Sequence, residues 1–178
     1  METYSQSKQD VFVLNLLPVG PRGNTFVDLA AGDPIIGNNT FLLESKGWRG
    51  ILIDNDPKFR ELYKNTRKSD FLIIDATKLY WDYIIVTLGN VIDYLSFDLD
   101  DIGESVFKKI PFDKIEFKII TVEHDKYRLG EKPQKIMRDI LEKHGYKLVR
   151  PNVAHNGNEY EDWFVNPKYI SAEKIIDL

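Results

Sequence analysis

The chain of 178 residues contains no cysteine. Disulfide staples, thiolate zinc sites and cysteine nucleophiles are therefore excluded. It also has no basic surplus: 24 Lys and Arg stand against 28 Asp and Glu, a net charge of −4, so a general nucleic-acid binder is not expected. No run approaches the ~18 consecutive apolar residues of a membrane span, and METYSQSKQD has no basic region followed by an apolar stretch. A cytoplasmic location is the expectation. Neither an internal repeat nor a low-complexity segment is present, and no clean G-x-G-x-x-G occurs. What the chain does have is 43% hydrophobic and 12% aromatic residues, enough for a full core, and a length that suits one ordinary domain.

The most informative stretch is Asn24 to Asp56. A short apolar strand, Thr25 to Leu29, runs into the small-residue turn Ala30, Ala31, Gly32. Asn38, Asn39 and Thr40 then offer N-caps for a helix carrying Phe41, Leu42 and Leu43, and a second strand, Ile51 to Ile53, ends on Asp54. A small-residue turn at the carboxyl end of a strand lets a cofactor approach the backbone. An acid at the tip of the next strand accepts two ribose hydroxyls. In outline this is a nucleoside site.

Around it the spacing predicts strand–helix alternation. Residues 4–17 read as an N-terminal helix on the sheet edge, closed by Pro18, Gly20, Pro21 and Gly23, a linker inside the domain. Pro57 opens a helix over KFRELYKNTRK, and strand three, residues 71–75, ends on Asp75. Residues 77–90 lean to helix. Strand four, Ile92 to Phe97, leads into Asp98, Asp100 and Asp101; a short helix ESVFKKI follows, and strand five, residues 117–125, ends in Glu123, His124 and Asp125. A helix from Pro133 to His144 precedes strand six, YKLVR. Residues 151–158 read as a loop, and EYEDWFVN as a last strand. That order predicts an α/β fold: a Rossmann-like, seven-stranded, mostly parallel sheet with one antiparallel strand, helices on both faces and an added N-terminal helix.

An ordered set of pieces carries a family resemblance: YSQSKQD, FVDLAAGDPIIGNNTFLLE, WRGILIDNDP, IIDAT, IDYLSFDLDD, IITVEHDKYR, EKHGYKLV and EDWFVNP. Over nearly the whole chain it resembles the FkbM family of S-adenosylmethionine-dependent methyltransferases, within the class I methyltransferase fold. The family's first turn commonly has glycine where this chain has Ala30 and Pro34.

The resemblance implies S-adenosylmethionine as cofactor. It places Asp28, Ala30, Ala31, Gly32, Asn39, Asp54, Asn55, Asp75, Ala76 and Asp98 around that cofactor. Asp54 would hold the ribose and Asp75 the adenine amine. Each also has a plain structural role to fall back on: turn cap for Asp28, tight packing for the small residues, helix N-cap for Asp75. It further implies O-methylation of a sugar, a glycan or a related small molecule.

Methyl transfer requires in-line positioning and removal of a proton from the acceptor, for which His124 or Asp98 is the candidate base. Asp100, Asp101, Glu123, Tyr127 and Arg128 are the candidate acceptor-binding residues. A Mg²⁺ ion on Asp98, Asp100 and Asp101 is the alternative way to acidify the acceptor. Asp162 and Trp163 stand near the same rim, with core packing the simpler role for Trp163. His144 reads as a helix-end cap and His155 as surface. Acceptor choice is expected to rest on residues 99–104, 125–133 and 151–159. A nicotinamide-dependent oxidoreductase and a non-catalytic binding module are the competing classes.

Overall fold

The computed structural model describes residues 2–176. Seven strands, β1 (Thr25–Leu29), β2 (Arg49–Asp54), β3 (Asp70–Ile73), β4 (Val91–Phe97), β5 (Glu116–Glu123), β6 (Lys147–His155) and β7 (Asn158–Val165), form one sheet in the order β3-β2-β1-β4-β5-β7-β6. The first five pair in parallel and β7 runs antiparallel to both neighbours. The expected Rossmann-like architecture is present.

Alternation along the central strands sends side chains to two cores. On one face Val27, Leu29, Ile51, Ile53, Leu95, Phe97, Ile120 and Val122 meet α4 (Trp81–Leu88), α5 (Gly103–Phe107), and a long helix, Glu131–Lys143, through Met137 and Leu141. On the other, Phe26, Leu52, Tyr94, Ile119 and Val165 meet α1 (Gln9–Leu16), α2 (Phe41–Ser45) and α3 (Arg60–Thr66). Two short helices complete the set, α6 (Lys126–Leu129) and α8 (Ala172–Ile176), with Glu131–Lys143 becoming α7 in chain order.

Four expectations need correction. Helix α1 starts at Gln9 and lies over the sheet face, because Phe12, Val13 and Leu16 are apolar on one side and Phe12 packs on Trp163 at a ring separation of 4.4 Å. Before it Ser5 is bridged to Gly37, and residues 6–8 bend into the helix with Lys8 left-handed at φ 68°. Residues 151–155 continue β6. Asn156 and Gly157, at φ 50° and 82°, form the two-residue turn of a β6–β7 hairpin. Strand β5 stops at Glu123, since Asp125 turns left-handed at φ 48° and starts α6. Strand β3 stops at Ile73, leaving Asp75 outside it.

Gly50 lies in β2 opposite Phe26. A Cβ there would sit 2.4 Å from both the ring and the carbonyl of Phe26. Gly50→Ala should therefore lower stability by roughly 1–3 kcal/mol or more through overpacking, read as a drop in the urea midpoint. An unchanged midpoint would contradict the close β1–β2 approach.

Candidate functional site

The carboxyl ends of β1, β2 and β4 and the segment after β3 open onto a cleft of about 260 Å³. Its walls are Ala30, Ile53, Asp54, Asn55, Ile74, Ala76 and Leu99, with Asp100, Asp101 and Ile102 at one side. The turn that forms its floor is built as the chain leaves β1. Ala31 N donates to Ile53 O at 3.0 Å, extending the β1–β2 ladder, and Ala30 and Gly32 both take left-handed φ, 59° and 57°. An alanine in that region costs about 1–2 kcal/mol relative to an unstrained residue, which is the physical meaning of the departure from glycine at position 30. Pro34 is buried away from the cleft walls, its carbonyl accepting from Arg67 Nη1 at 3.1 Å.

Asp54 is fixed at the tip of β2 by two backbone donors, Gly32 N to Oδ2 and Asp56 N to Oδ1, each at 2.9 Å. Each carboxylate oxygen retains a second lone pair, so the group can accept two further hydrogen bonds in the cleft. Asp28 is buried beneath the turn, 2% exposed, and accepts from Thr40 Oγ1 at 2.7 Å. Asn39 is also buried; its amide donates to Ser96 Oγ at 3.0 Å, while its Oδ1 has no partner. Asp75 uses Oδ1 to cap the 3₁₀ turn Ala76–Lys78, accepting from Thr77 N and Thr77 Oγ1 at 2.8 and 2.7 Å. It stands outside the cleft walls, and those bonds from Thr77 lower its pKa.

Asn38, Tyr63 and Arg67 carry much of the turn; Asn38 was expected only as a helix cap, and Tyr63 and Arg67 were not expected at the site. Asn38 Oδ1 accepts from Thr40 N and Phe41 N, capping α2, while its amide donates to Ala31 O and Asp33 O. Tyr63 OH donates to Ala31 O at 3.1 Å. Arg67 donates to Glu44, Pro34 O, Asn38 and Thr40, all at 3.1 Å. Of these only the α2 cap had a sequence signal, the Asn-Asn-Thr run.

A second pocket of about 210 Å³ shares Asp100 and Asp101 with the cleft and continues past Glu123, His124, Asp125 and Lys132. Glu123 also borders a third, about 160 Å³, between Tyr127, Tyr160 and the hairpin residues His155, Asn156 and Asn158. Arg128 bridges Asp100, Asp101 and Asp125, and Tyr127 is 53% exposed. Burial raises the pKa of Asp98 despite its hydrogen bond with Glu123, and burial together with Asp98 raises that of Glu123. Oxygens of Asp100, Glu123 and Asp125 lie within 4.8 Å of one another. Asp98 and Asp101, named with Asp100 as ligands should a metal be present, are not part of that grouping.

His124 does not present a free ring nitrogen. It is 2% exposed; Nδ1 accepts from Lys126 N at 3.2 Å, and Nε2 faces Gln134 at 3.0 Å and Asp162 at 3.6 Å. Burial alone would raise the Asp162 pKa, but hydrogen bonds from His124, Arg138 and the Asn152 amide hold it well below the usual range. The ring is thus tied into a buried ionic network, and the expectation of His124 as base is corrected on that ground. Trp163 packs in the core, His144 follows the last turn of α7, and His155 is exposed, as the sequence suggested.

No protein-family model matches the chain, and no curated protein matches it. Solved structures do. An rRNA methylase from Streptococcus thermophilus aligns with a TM-score of 0.60 at 13% identity, over 93% of this chain and 98% of that one. Cofactor-bound Rv0187 from MTB aligns with a TM-score of 0.60 at 12% identity, over 93% and 83%. The 1,6-didemethyltoxoflavin-N1-methyltransferase of Burkholderia thailandensis, solved with S-adenosylhomocysteine, gives 0.56 at 12%, over 91% and 77%. The shared property is the class I methyltransferase fold. Among the described residues no helix is long and apolar enough to cross a membrane.

Burial pushes the Asp28 pKa up to about 6, against the lowering effect of Thr40, Ser96 and Arg67. An unfolded aspartate titrates near ~3.9, so folding takes up a proton between those values. The contribution of Asp28 to stability is complete below pH ~4 and is lost as pH rises through 6. Asp28→Asn keeps an acceptor for Thr40 without the charge. Its stability relative to wild type should improve by on the order of 2–3 kcal/mol between pH 4 and 7, measured by urea unfolding; a pH-independent difference would contradict the burial of this carboxylate.

Proposed function

We propose that the chain is an S-adenosylmethionine-dependent O-methyltransferase of the FkbM kind, acting on a hydroxyl of a sugar, a glycan or a related small molecule. The observation that carries this is the Asp54 carboxylate, fixed at the β2 tip with spare acceptor capacity in a cleft bounded by a left-handed small-residue turn. In this reading Asp54 takes the ribose hydroxyls and Asn55 stands beside them. Ile53, Ile74, Ala76 and Leu99 supply apolar walls for a purine. Ala30 to Gly32 let the backbone run close to the methionine portion. The unpartnered Asn39 Oδ1 is a fitting acceptor for an ammonium group at the turn. Asp28 acts through Thr40, holding the turn rather than touching the ligand.

When bound, the cofactor supplies an electrophilic methyl group on a sulfonium. The protein then has to align the acceptor oxygen in line and take its proton. The second pocket, joined to the cleft through Asp100 and Asp101, is the place for the acceptor. Asp98, on the carboxyl edge of β4, is the residue assigned to the proton. The third pocket, with the exposed face of Tyr127 and the amides of Asn156 and Asn158, suits a polyhydroxylated acceptor that combines an apolar ring face with many hydroxyls. His124 is a positioning residue for the Glu123–Asp125 segment.

Calorimetry tests the reading. Wild type should bind S-adenosylhomocysteine and not NAD, and Asp54→Ala should weaken binding more than tenfold. Asp98→Asn should leave that affinity within about threefold and lower turnover. Binding of NAD alone, or equal affinity in wild type and Asp54→Ala, would overturn it.

A further inference from the structure

A groove of about 450 Å³ runs between α1 and the β6–β7 edge of the sheet. It is larger than the cleft and shares no wall residue with the cleft or with the two pockets beside it. Phe12 and Trp163, with ring centroids 4.4 Å apart, form its floor, and the half-buried Val11 and Val153 form its apolar sides. The remaining chemistry is of one sign: Lys8 and Arg150 line the groove, and no acid does.

These two cations are not spent on the fold. Among the described residues neither side chain has an ion-pair or hydrogen-bond partner, whereas the neighbouring cations do: Lys126 is paired with Glu159 and Arg138 with Asp162. In a chain of net charge −4, an acid-free groove with two unpaired cations is a local reversal of sign that favours an anion. The backbone is also irregular at both residues. Lys8 takes left-handed φ 68° at the start of α1, a conformation that a glycine or an asparagine would adopt more easily but without the ammonium. Arg150 stands between two register shifts of the β6–β7 ladder, which set it opposite Trp163. Bulges of this kind re-aim a side chain.

We propose that this groove binds a small aromatic anion, a carboxylate or sulfonate carried on one or two rings. Its acid group meets Lys8 and Arg150, the guanidinium offering a planar fork to two oxygens and the ammonium a point charge. Its rings lie on Phe12, Trp163 and the two valines, where flat aromatic surface packs edge-on or offset at little entropic cost. The volume falls in the ~300–1,000 Å³ range of small-molecule sites, enough for one or two rings and too little for a folded partner. Such a ligand is neither the methyl donor nor the acceptor, so the site stands or falls independently of the methyltransferase reading.

The probe is 8-anilinonaphthalene-1-sulfonate, a sulfonate on fused rings, titrated into the purified full chain and followed by its fluorescence, with urea midpoints confirming that every variant is folded. Wild type should bind one equivalent with a dissociation constant below about 100 μM. Lys8→Gln and Arg150→Gln should each bind more than threefold more weakly, and the double variant more than tenfold. Lys143→Gln, which removes an exposed charge outside the groove, should stay within about twofold. The uncharged N-phenyl-1-naphthylamine, competed against the sulfonate, should bind more than tenfold more weakly. No saturable binding by folded wild type, equal affinity in the double variant, or equal affinity for the uncharged ring system would overturn the site. A dimer in sedimentation that Val11→Arg dissociates, and that excludes the probe, would assign the groove to a second copy of the chain and overturn it equally.

Discussion

The buried guanidinium of Arg67 is the constraint on which the cofactor side of this molecule depends. It comes from the residue after α3 and ties together the end of α2, the loop after the β1 turn and the cap of α2, through Glu44, Pro34 O, Asn38 and Thr40. Phe26, Phe41 and Tyr63 surround it at 5.7–6.0 Å. An exposed pair such as Lys58 with Asp56 contributes little, because solvent and salt screen it. Breaking a buried one by removing a partner costs ~3–5 kcal/mol, because a charge is left without its counter-ion. The loop from residue 33 to 40 buries little apolar side chain beyond Pro34, Ile36 being 81% exposed, so these polar bonds hold its shape. Through Thr40 the same network reaches Asp28, and through Asn38 and Tyr63 it reaches the carbonyl of Ala31.

A second polar layer runs across the sheet beneath the site. Asp28, Ser96, Thr121 and Trp163 are aligned on β1, β4, β5 and β7, and Glu161 accepts from Gln9 and Trp163. Burial pushes Glu161 up to about 8, so this layer holds protons as well as hydrogen bonds. The N-terminal segment closes it, Gln9 reaching Glu161 and Tyr160, Asp10 gathering Thr3, Tyr4 N and Ser5. The carboxyl edge of the sheet is thus supported from below by satisfied polar groups and, on its open side, by carboxylates that are not all satisfied. That asymmetry separates scaffold from site.

The strand–helix alternation was readable from the sequence because each buried strand announces itself as an apolar run followed by turn residues, and the position of Asp54 at a strand tip because it stands at the end of such a run. The β6–β7 hairpin was missed: Asn156-Gly157 is a strong two-residue turn signal, but Pro151 and the polar residues around it mask the strand before it, which carries register shifts. Arg67 was not legible. A basic residue ending an exposed helix looks like solvent-facing charge until the loop from another part of the chain closes over it. His124 misled for the converse reason, since a histidine at a strand end gives no sign in sequence that Gln134 and Asp162, 10 and 38 positions further on, will take its ring.

The proposed methyl-donor site lies between the turn after β1 and the acid at the tip of β2. The most direct test is a crystal structure of the chain with S-adenosylhomocysteine. The ligand is expected between the Ala30–Gly32 turn, Ala76 and Leu99, with its ribose hydroxyls on Asp54 and its sulfur turned toward Asp98 and Asp100. Density for the ligand elsewhere, or a cleft that stays empty at saturating concentration, would contradict the account.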